Sequence, residues 1–360
     1  MSADFTSGVF LRGEGAWHGD GEVTTERLSA IEAFLRADAL FPVQKGNLWM
    51  GDPGSEVPLT QVSNRNAIYR ADTNAILSVV SNRYPIYPNT LLLRLAEAIE
   101  REAAIDAVVV LAGGKRVCFT SRINDATMDI VPGDAACPYV VGILGHDGLT
   151  ALSGGYSHIR IVCRNTMQWV MDMLEGDQAQ GGAMGFRFPH VHGFDSDEEA
   201  IAYIEGQMDT IIAGINWQRQ TFPQAVTGYR AMAQVDMSAV EFANFIRMVY
   251  RIPATMMIDG EEQPVTLEMA MPRKWVALQE AFRAGIGQDI DGVAGTLWAG
   301  FNAITQVESS FSPQAGRGAI ARRLHATYCG AANKIIAFAN QLAHDRIGMT
   351  AGEFAEAANG

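Results

Sequence analysis

Arg83, Lys115, Arg116, Arg122, Arg160 and Arg164 fall near the ends of predicted strands, and Asn165 opens a predicted helix. Guanidinium and ammonium groups hold phosphate, and a helix start adds free backbone N–H groups and the positive end of the helix dipole. Tyr84 and Tyr156 stand among these cations as rings on which bases can stack. The chemistry open to such a set is capture of a nucleic-acid backbone, with Lys115, Arg116, Arg160, Arg164 and the helix start at Asn165 against phosphates and Arg83 and Tyr84 lining the groove. The plainer reading of each cation is a solvated charge on a sheet rim.

A second chemistry centres on Pro189-His190-Val191-His192. His190 and His192 project to the same side of an extended segment, with Asp195 or Asp197 near and His146 and His158 as further candidates. Such a set can hold zinc or manganese and activate water for hydrolysis. The competing reading is two solvated histidines on a loop flanked by Pro and Gly.

Other reactions fit the spacing poorly. Leu111-Ala112-Gly113-Gly114-Lys115-Arg116 lacks the glycine spacing of a phosphate-binding loop, and its lysine enters a strand rather than a helix. Gly13 and Gly15 follow no apolar strand and make no dinucleotide fingerprint. His146-Asp147 beside Ser153 or Ser157 is no triad, since adjacent His and Asp in a turn seldom meet in the required geometry; Asp147-Gly148 reads first as hairpin chemistry. Cys163 beside Arg164 can carry a lowered thiol pKa, or serve as a small core residue. No cofactor and no catalytic residue is assigned.

The whole chain narrows the choice. With 360 residues, 48% of them hydrophobic, it can bury one large core or two ordinary ones. A net charge of −13 opposes indiscriminate coating of DNA or of an anionic membrane, so any polyanion site must be local. Four cysteines without a C-x-x-C pair exclude the usual zinc-ribbon and thioredoxin-like readings and suit a reduced cytoplasm. No signal-like start and no run of about 18 apolar residues occurs, so a cytoplasmic protein outside the membrane is expected.

The elements that must position these residues are legible as periodicities. Thr24, Thr25 and Glu26 are read as the cap of a helix carrying Leu28, Ile31, Phe34 and Leu35. Ala67–Arg70 and Ile76–Val80, separated by Ala71-Asp72-Thr73-Asn74, predict a hairpin. Asn89 is read as the cap of a helix with Leu92, Leu95, Ala96 and Ile99 on one face. A second hairpin turns at Gly113-Gly114, and strands follow at 138–145 and 155–163 before the helix at Asn165. Residues 176–185 read as a loop or boundary. From Asp195 the period is helical, through Ile201, Ile204, Met208, Ile211, Ile212 and Ile215, with further helices at 238–250, 272–284, 293–307 and 317–343.

Ala16-Trp17-His18-Gly19, Ser81-Asn82-Arg83-Tyr84 with Asn89, the Gly-Gly-Lys-Arg hairpin, His146-Asp147-Gly148, Arg160-Ile161-Val162-Cys163-Arg164-Asn165-Thr166 and Phe301-Asn302-Ala303-Ile304-Thr305 occur in this order. In that order they resemble an uncharacterised family of phage- and plasmid-encoded proteins, a domain of unknown function. The resemblance implies a setting in mobile-element DNA metabolism and supplies no catalytic residues. The order of strands then helix is also similar to that of Rad-type and Red-beta-type annealing proteins, a likeness at the level of fold alone.

The expectation is an α+β fold, with an antiparallel sheet and crossing helices in residues 1–185 and a mainly helical region in 186–360, either packed on the same core or separate. The expected function is single-stranded DNA binding, extending to strand annealing in phage or plasmid replication and recombination, by a homo-oligomer. The alternatives are a metal-dependent hydrolase using His190 and His192, and a structural or self-assembling protein. For the last, Met208, Met232, Met237, Met248, Met256 and Met257 offer adaptable surfaces, and Arg317, Arg322, Arg323, His325, Lys334 and Arg346 form a basic tract.

Overall fold

A computed structural model describes residues 5–11, 21–51, 54, 58–160, 185–188, 197–258 and 261–310. They form two compact units. The first comprises the described residues within Met1–Asp125, Pro138–Ser157 and Ala179–Arg219; the second comprises those within Ala126–Cys137, His158–Gln178 and Gln220–Gly360. Sheets dominate the N-terminal half and helices the C-terminal half, so the fold is α+β. No described helix is long and apolar enough to cross a membrane.

In the first unit β1 (Phe5–Phe10), β2 (Glu22–Val23), β6 (Ala103–Leu111), β7 (Arg116–Ile123), β9 (Asp134–Gly145), β10 (Leu152–Arg160) and β11 (Gly185–Phe188) contribute to a mixed sheet in the order β11-β10-β9-β7-β6-β1-β2. β1 and β2 run parallel, whereas β1–β6, β6–β7, β7–β9 and β10–β11 are antiparallel. Val117 to Ser121 of β7 are buried on both faces, which is why these central strands read as apolar runs rather than as alternation.

One covering helix is α1 (Ala30–Arg36), where Phe34 meets Phe119 of β7 at 6.3 Å between ring centroids. Its cap corrects the reading from sequence. Ser29 caps it, accepting from the Glu32 N–H while the Glu32 carboxylate accepts from the Ser29 N–H, a reciprocal capping box. Thr24 instead accepts from the Glu26 N–H in a local turn. The second, α2 (Asn89–Ile99), packs on β6 and β7 through Leu92, Leu95, Ala96 and Ile99, as the periodicity predicts.

A separate sheet holds β3 (Val43–Met50), β4 (Thr60–Arg70) and β5 (Ile76–Ser81), all antiparallel. The β4–β5 hairpin is the predicted one. β3 carries no periodic signal and is defined by its partner. Beyond the sheet come α3 (Asp197–Glu205) and α4 (Met208–Ala233), a pair where one continuous apolar stripe is read from Ile201 to Ile215. Tyr156 of β10 donates its hydroxyl to the Ile211 carbonyl of α4 at 2.5 Å.

The second unit is helical around a hairpin. β8 (Met128–Val131) pairs with the first residues of β9, and α5 (Ala239–Tyr250), α6 (Leu267–Ala270), α7 (Pro272–Ala284) and α8 (Leu297–Ser310) follow. Phe242, Trp275, Leu278 and Trp298 are core residues; Phe242 stacks on Phe282 at 4.2 Å, and Trp298 donates its indole N–H to the buried Asp134 carboxylate at 2.8 Å. Between α5 and α6 stands a hairpin absent from the sequence reading, β12 (Thr255–Ile258) with β13 (Glu261–Pro264). The Arg247 guanidinium pins its root, donating to the Pro253 and Val265 carbonyls at 3.2 and 2.7 Å.

Candidate nucleic-acid interface

The loop joining β6 to β7 sets one rim of the first unit. Ala112, Gly113 and Gly114 take φ of 50°, 72° and 100°, a left-handed run that two glycines make accessible. Gly114 is buried there, and a Cβ would come within 3.0 Å of Arg70 Cδ and Phe41 Cζ, so the position takes glycine. The loop delivers Lys115 to the surface, where its ammonium makes no ion pair among the described residues. Its carbonyl accepts from the His146 N–H at 2.7 Å.

His146 knits three chain segments together although it is 1% exposed. The Asn89 side chain donates through Nδ2 to the Phe41 carbonyl at 3.1 Å, so its Oδ1 faces His146 Nε2 at 2.8 Å and the imidazole proton sits on Nε2. Ser78 of β5 donates to the His146 carbonyl at 2.7 Å. Asn89 is therefore no helix cap, as its type and position suggest; Pro88 holds the cap position and the amide turns inward, because a buried imidazole must have a partner.

The following turn is the hairpin chemistry expected of Asp147-Gly148. Asp147 Oδ1 accepts from the Leu149 and Thr150 N–H groups at 2.9 and 2.7 Å, Oδ2 accepts from the Thr150 hydroxyl at 2.8 Å, and Gly148 takes φ of 76°. Tyr84 lies beside it: burial first, then the Asp147 charge and Tyr87, push its phenol well above the ordinary range. Arg83, its neighbour, is exposed.

Behind this rim lies a cation that sequence reasoning missed. Arg70 is 6% exposed, donates to Asp72 at 3.0 and 2.7 Å and to Asp38 at 3.0 Å, and stands 3.9 Å above the Phe41 ring. Its hydrogen bond to Asp72 raises the guanidinium pKa against the opposing effect of burial, and the same bond holds the Asp72 carboxyl low. Phe41 meets His146 edge-on at 6.1 Å. No motif marks this group, since its members are far apart in sequence; the sole local signal is Asp72 two residues after Arg70.

Of the predicted site residues, then, Lys115 and Arg116 stand beside the strand end that leads into His146 and Asp147, Arg116 in register with Gly145; Tyr84 lies beside Asp147, and Arg83 precedes it in the chain. Arg122, expected on the same track, stands at the other end of β7 in register with Tyr139, about 20 Å away at the rise of a strand. Arg160 is the last residue of β10. Arg164, Asn165, His190 and His192 lie outside the described residues. Tyr156 is buried and its ring is closed to a base.

Among the described residues no group of three His, Cys, Asp or Glu side chains is placed to hold a metal ion. Cys118 and Cys137 are buried, and burial pushes the Cys118 thiol up to about 12, which removes it as a nucleophile. What the rim can do chemically is present fixed cations to an anion.

Residues 76–312, well over half of the chain, match the family described as Domain of unknown function (DUF932). The chain belongs to this family. No curated protein and no solved structure matches it. The matched span begins at β5 and takes in Arg83, Asn89, Lys115 and His146, so the knitted rim falls wholly on family sequence apart from Phe41 and Arg70.

Proposed function

We propose that this protein binds single-stranded DNA at the rim formed by the Arg83, Lys115 and His146 loops, and so supports pairing of complementary strands. It does so as a homo-oligomer in the cytoplasm, in the replication and recombination of phage or plasmid DNA. The observation that carries the reading is the position of Lys115: exposed, without an ion pair among the described residues, and fixed by its carbonyl to the same buried histidine that anchors the neighbouring turns. By contrast Arg36, Arg70, Arg94 and Arg219 are neutralised by carboxylates of their own unit. On a chain of net charge −13, an exposed ammonium held at a fixed place, with no ion pair among the described residues, favours a local polyanion contact over long-range attraction.

Fluorescence anisotropy with a labelled oligo-dT at two salt concentrations tests this. For each phosphate neutralised, log affinity for a single strand falls by about 0.7 per tenfold rise in salt. Charge reversal at both positions, Arg83→Glu with Lys115→Glu, is expected to lower affinity at least about tenfold and to flatten the salt slope by about 1.4. Arg122→Glu, at the far end of β7, leaves both unchanged. Absence of any affinity at low salt, or equal losses from all three substitutions, overturns the reading.

A further inference from the structure

The β3–β4–β5 sheet differs in charge from the rest of the chain. Val43–Met50, Thr60–Arg70 and Ile76–Ser81 contain Lys45, Arg65 and Arg70 and not one Asp or Glu, in a protein with 40 acidic and 27 basic residues. Arg70 is turned inward and neutralised, so it adds nothing to the surface. Arg65 is exposed and makes no ion pair among the described residues.

Register assigns the two faces. Gly46 pairs with Ala67 and Ala67 with Val79, Gln44 pairs with Tyr69 and Tyr69 with Ile76, and Arg65 pairs with Ser81. Residues opposite one another share a face. On the alternate positions Ile68, Val80 and Arg70 are buried and Lys45 pairs with Ile68, whereas Gln44, Arg65, Ile76 and Val79 are exposed, so theirs is the outer face, with the small Ala67 buried within it and Arg65 as its cation. There Ile76 and Val79 are 65% and 55% exposed.

Tyr69 is held ready on this face. A Cβ at Gly46 would lie 3.1 Å from the Tyr69 ring, so the glycine is what lets the ring settle against the neighbouring strand. The Tyr69 hydroxyl donates to Gln44 Oε1 at 2.9 Å and fixes the ring's remaining freedom. An aromatic ring locked before binding loses little rotamer entropy when a base stacks on it.

We propose that this outer face is a second contact surface for single-stranded nucleic acid, with a base on Tyr69 and a neighbouring phosphate at Arg65. The inference rests on the reading that the protein takes single strands, and it adds a surface apart from the Lys115 rim. Charge complementarity selects a polyanion, and a stacking ring requires an unpaired base, which selects a single strand over a duplex. The exposed apolar side chains Ile76 and Val79 beside the ring suit the faces and edges of bases.

The test uses the full chain with oligo-dT and an abasic oligomer of the same length, which keeps the phosphates and removes the bases. Wild type is expected to favour oligo-dT about tenfold, and Tyr69→Leu to abolish that preference while leaving abasic binding unchanged. Arg65→Gln, an exposed change that keeps the fold, weakens both oligomers several-fold. Thermal melts confirm that each variant is folded. Wild-type affinity for oligo-dT in both variants, with loss in the Arg83→Glu and Lys115→Glu double variant, sinks this surface and leaves the rim reading intact. No binding by wild type sinks both. A change of oligomeric state in Tyr69→Leu with unchanged DNA affinity assigns the face to a second copy of the chain and overturns the inference.

Discussion

Tyr156 shows how one side chain can serve structure where its type suggests recognition. Its hydroxyl meets the Ile211 carbonyl, and a Cβ at Gly214 would lie 2.1 Å from that hydroxyl, so helix and ring fit only because residue 214 has no side chain. Burial pushes its phenol from 10.0 up to about 12. Between those two values the unfolded chain gives up the proton first, the folded state binds more protons, and stability falls as pH rises. Unfolding midpoints in denaturant are therefore expected to drop between pH about 10 and about 12. Tyr156→Phe should make that decline shallower at a cost of about 1 kcal/mol at neutral pH, the usual worth of one hydrogen bond. An unchanged alkaline slope in the variant would remove Tyr156 from this account; half-buried Tyr229, raised to about 12, and Tyr84, also raised, then remain as sources. Asn89 makes the same point about types: Asn before an apolar stripe reads as a cap, yet its amide is spent on Phe41 and His146.

Elements with a strong local period were legible and those made by pairing were not. α2 shows its buried stripe in Leu92, Leu95, Ala96 and Ile99 because helical spacing is a property of the segment itself. The β6–β7 turn announces itself in Gly113-Gly114 for a similar reason. β3, Val-Gln-Lys-Gly-Asn-Leu-Trp-Met, has no alternation and acquires strand geometry from β4, through a register shift between Asn47 and Trp49. β13, Glu-Glu-Gln-Pro, is a poor strand former that the root contacts of Arg247 hold in place; the Asp259-Gly260 dipeptide before it was the available hairpin signal. The start of α1 tests the element scale directly. Ser29→Ala is expected to cost about 1 kcal/mol, whereas Thr24→Ala, outside the helix, stays within about 0.5 kcal/mol. Equal effects in thermal or denaturant unfolding would return the cap to the earlier threonine.

On the scale of the whole molecule the net charge of −13 acts on folding and on binding in opposite directions. Salt screens self-repulsion of the compact state, so raising it from about 0.05 to about 0.5 M is expected to lift the melting temperature by about 2–4 °C for each kcal/mol relieved. On the proposed function, the same change is expected to weaken binding of single-stranded DNA at the rim. A melting temperature that falls with salt would mean that attractive pairs such as Arg94–Glu205 and Arg219–Glu102 outweigh the net repulsion. By itself the sequence determined the α+β class, the face of α2, the glycine turns and the confinement of any polyanion site to a local patch, because each follows from composition or from neighbours a few residues apart. Only the tertiary structure decided that the segments of Lys115 and Tyr84 both meet the His146-Asp147 turn while Arg122 stands at the far end of β7, that Arg70 is buried and neutralised, and that the outer face of an acid-free sheet carries Tyr69. Those outcomes depend on which strands pair and in what register, and pairing between distant segments leaves no mark in either segment alone.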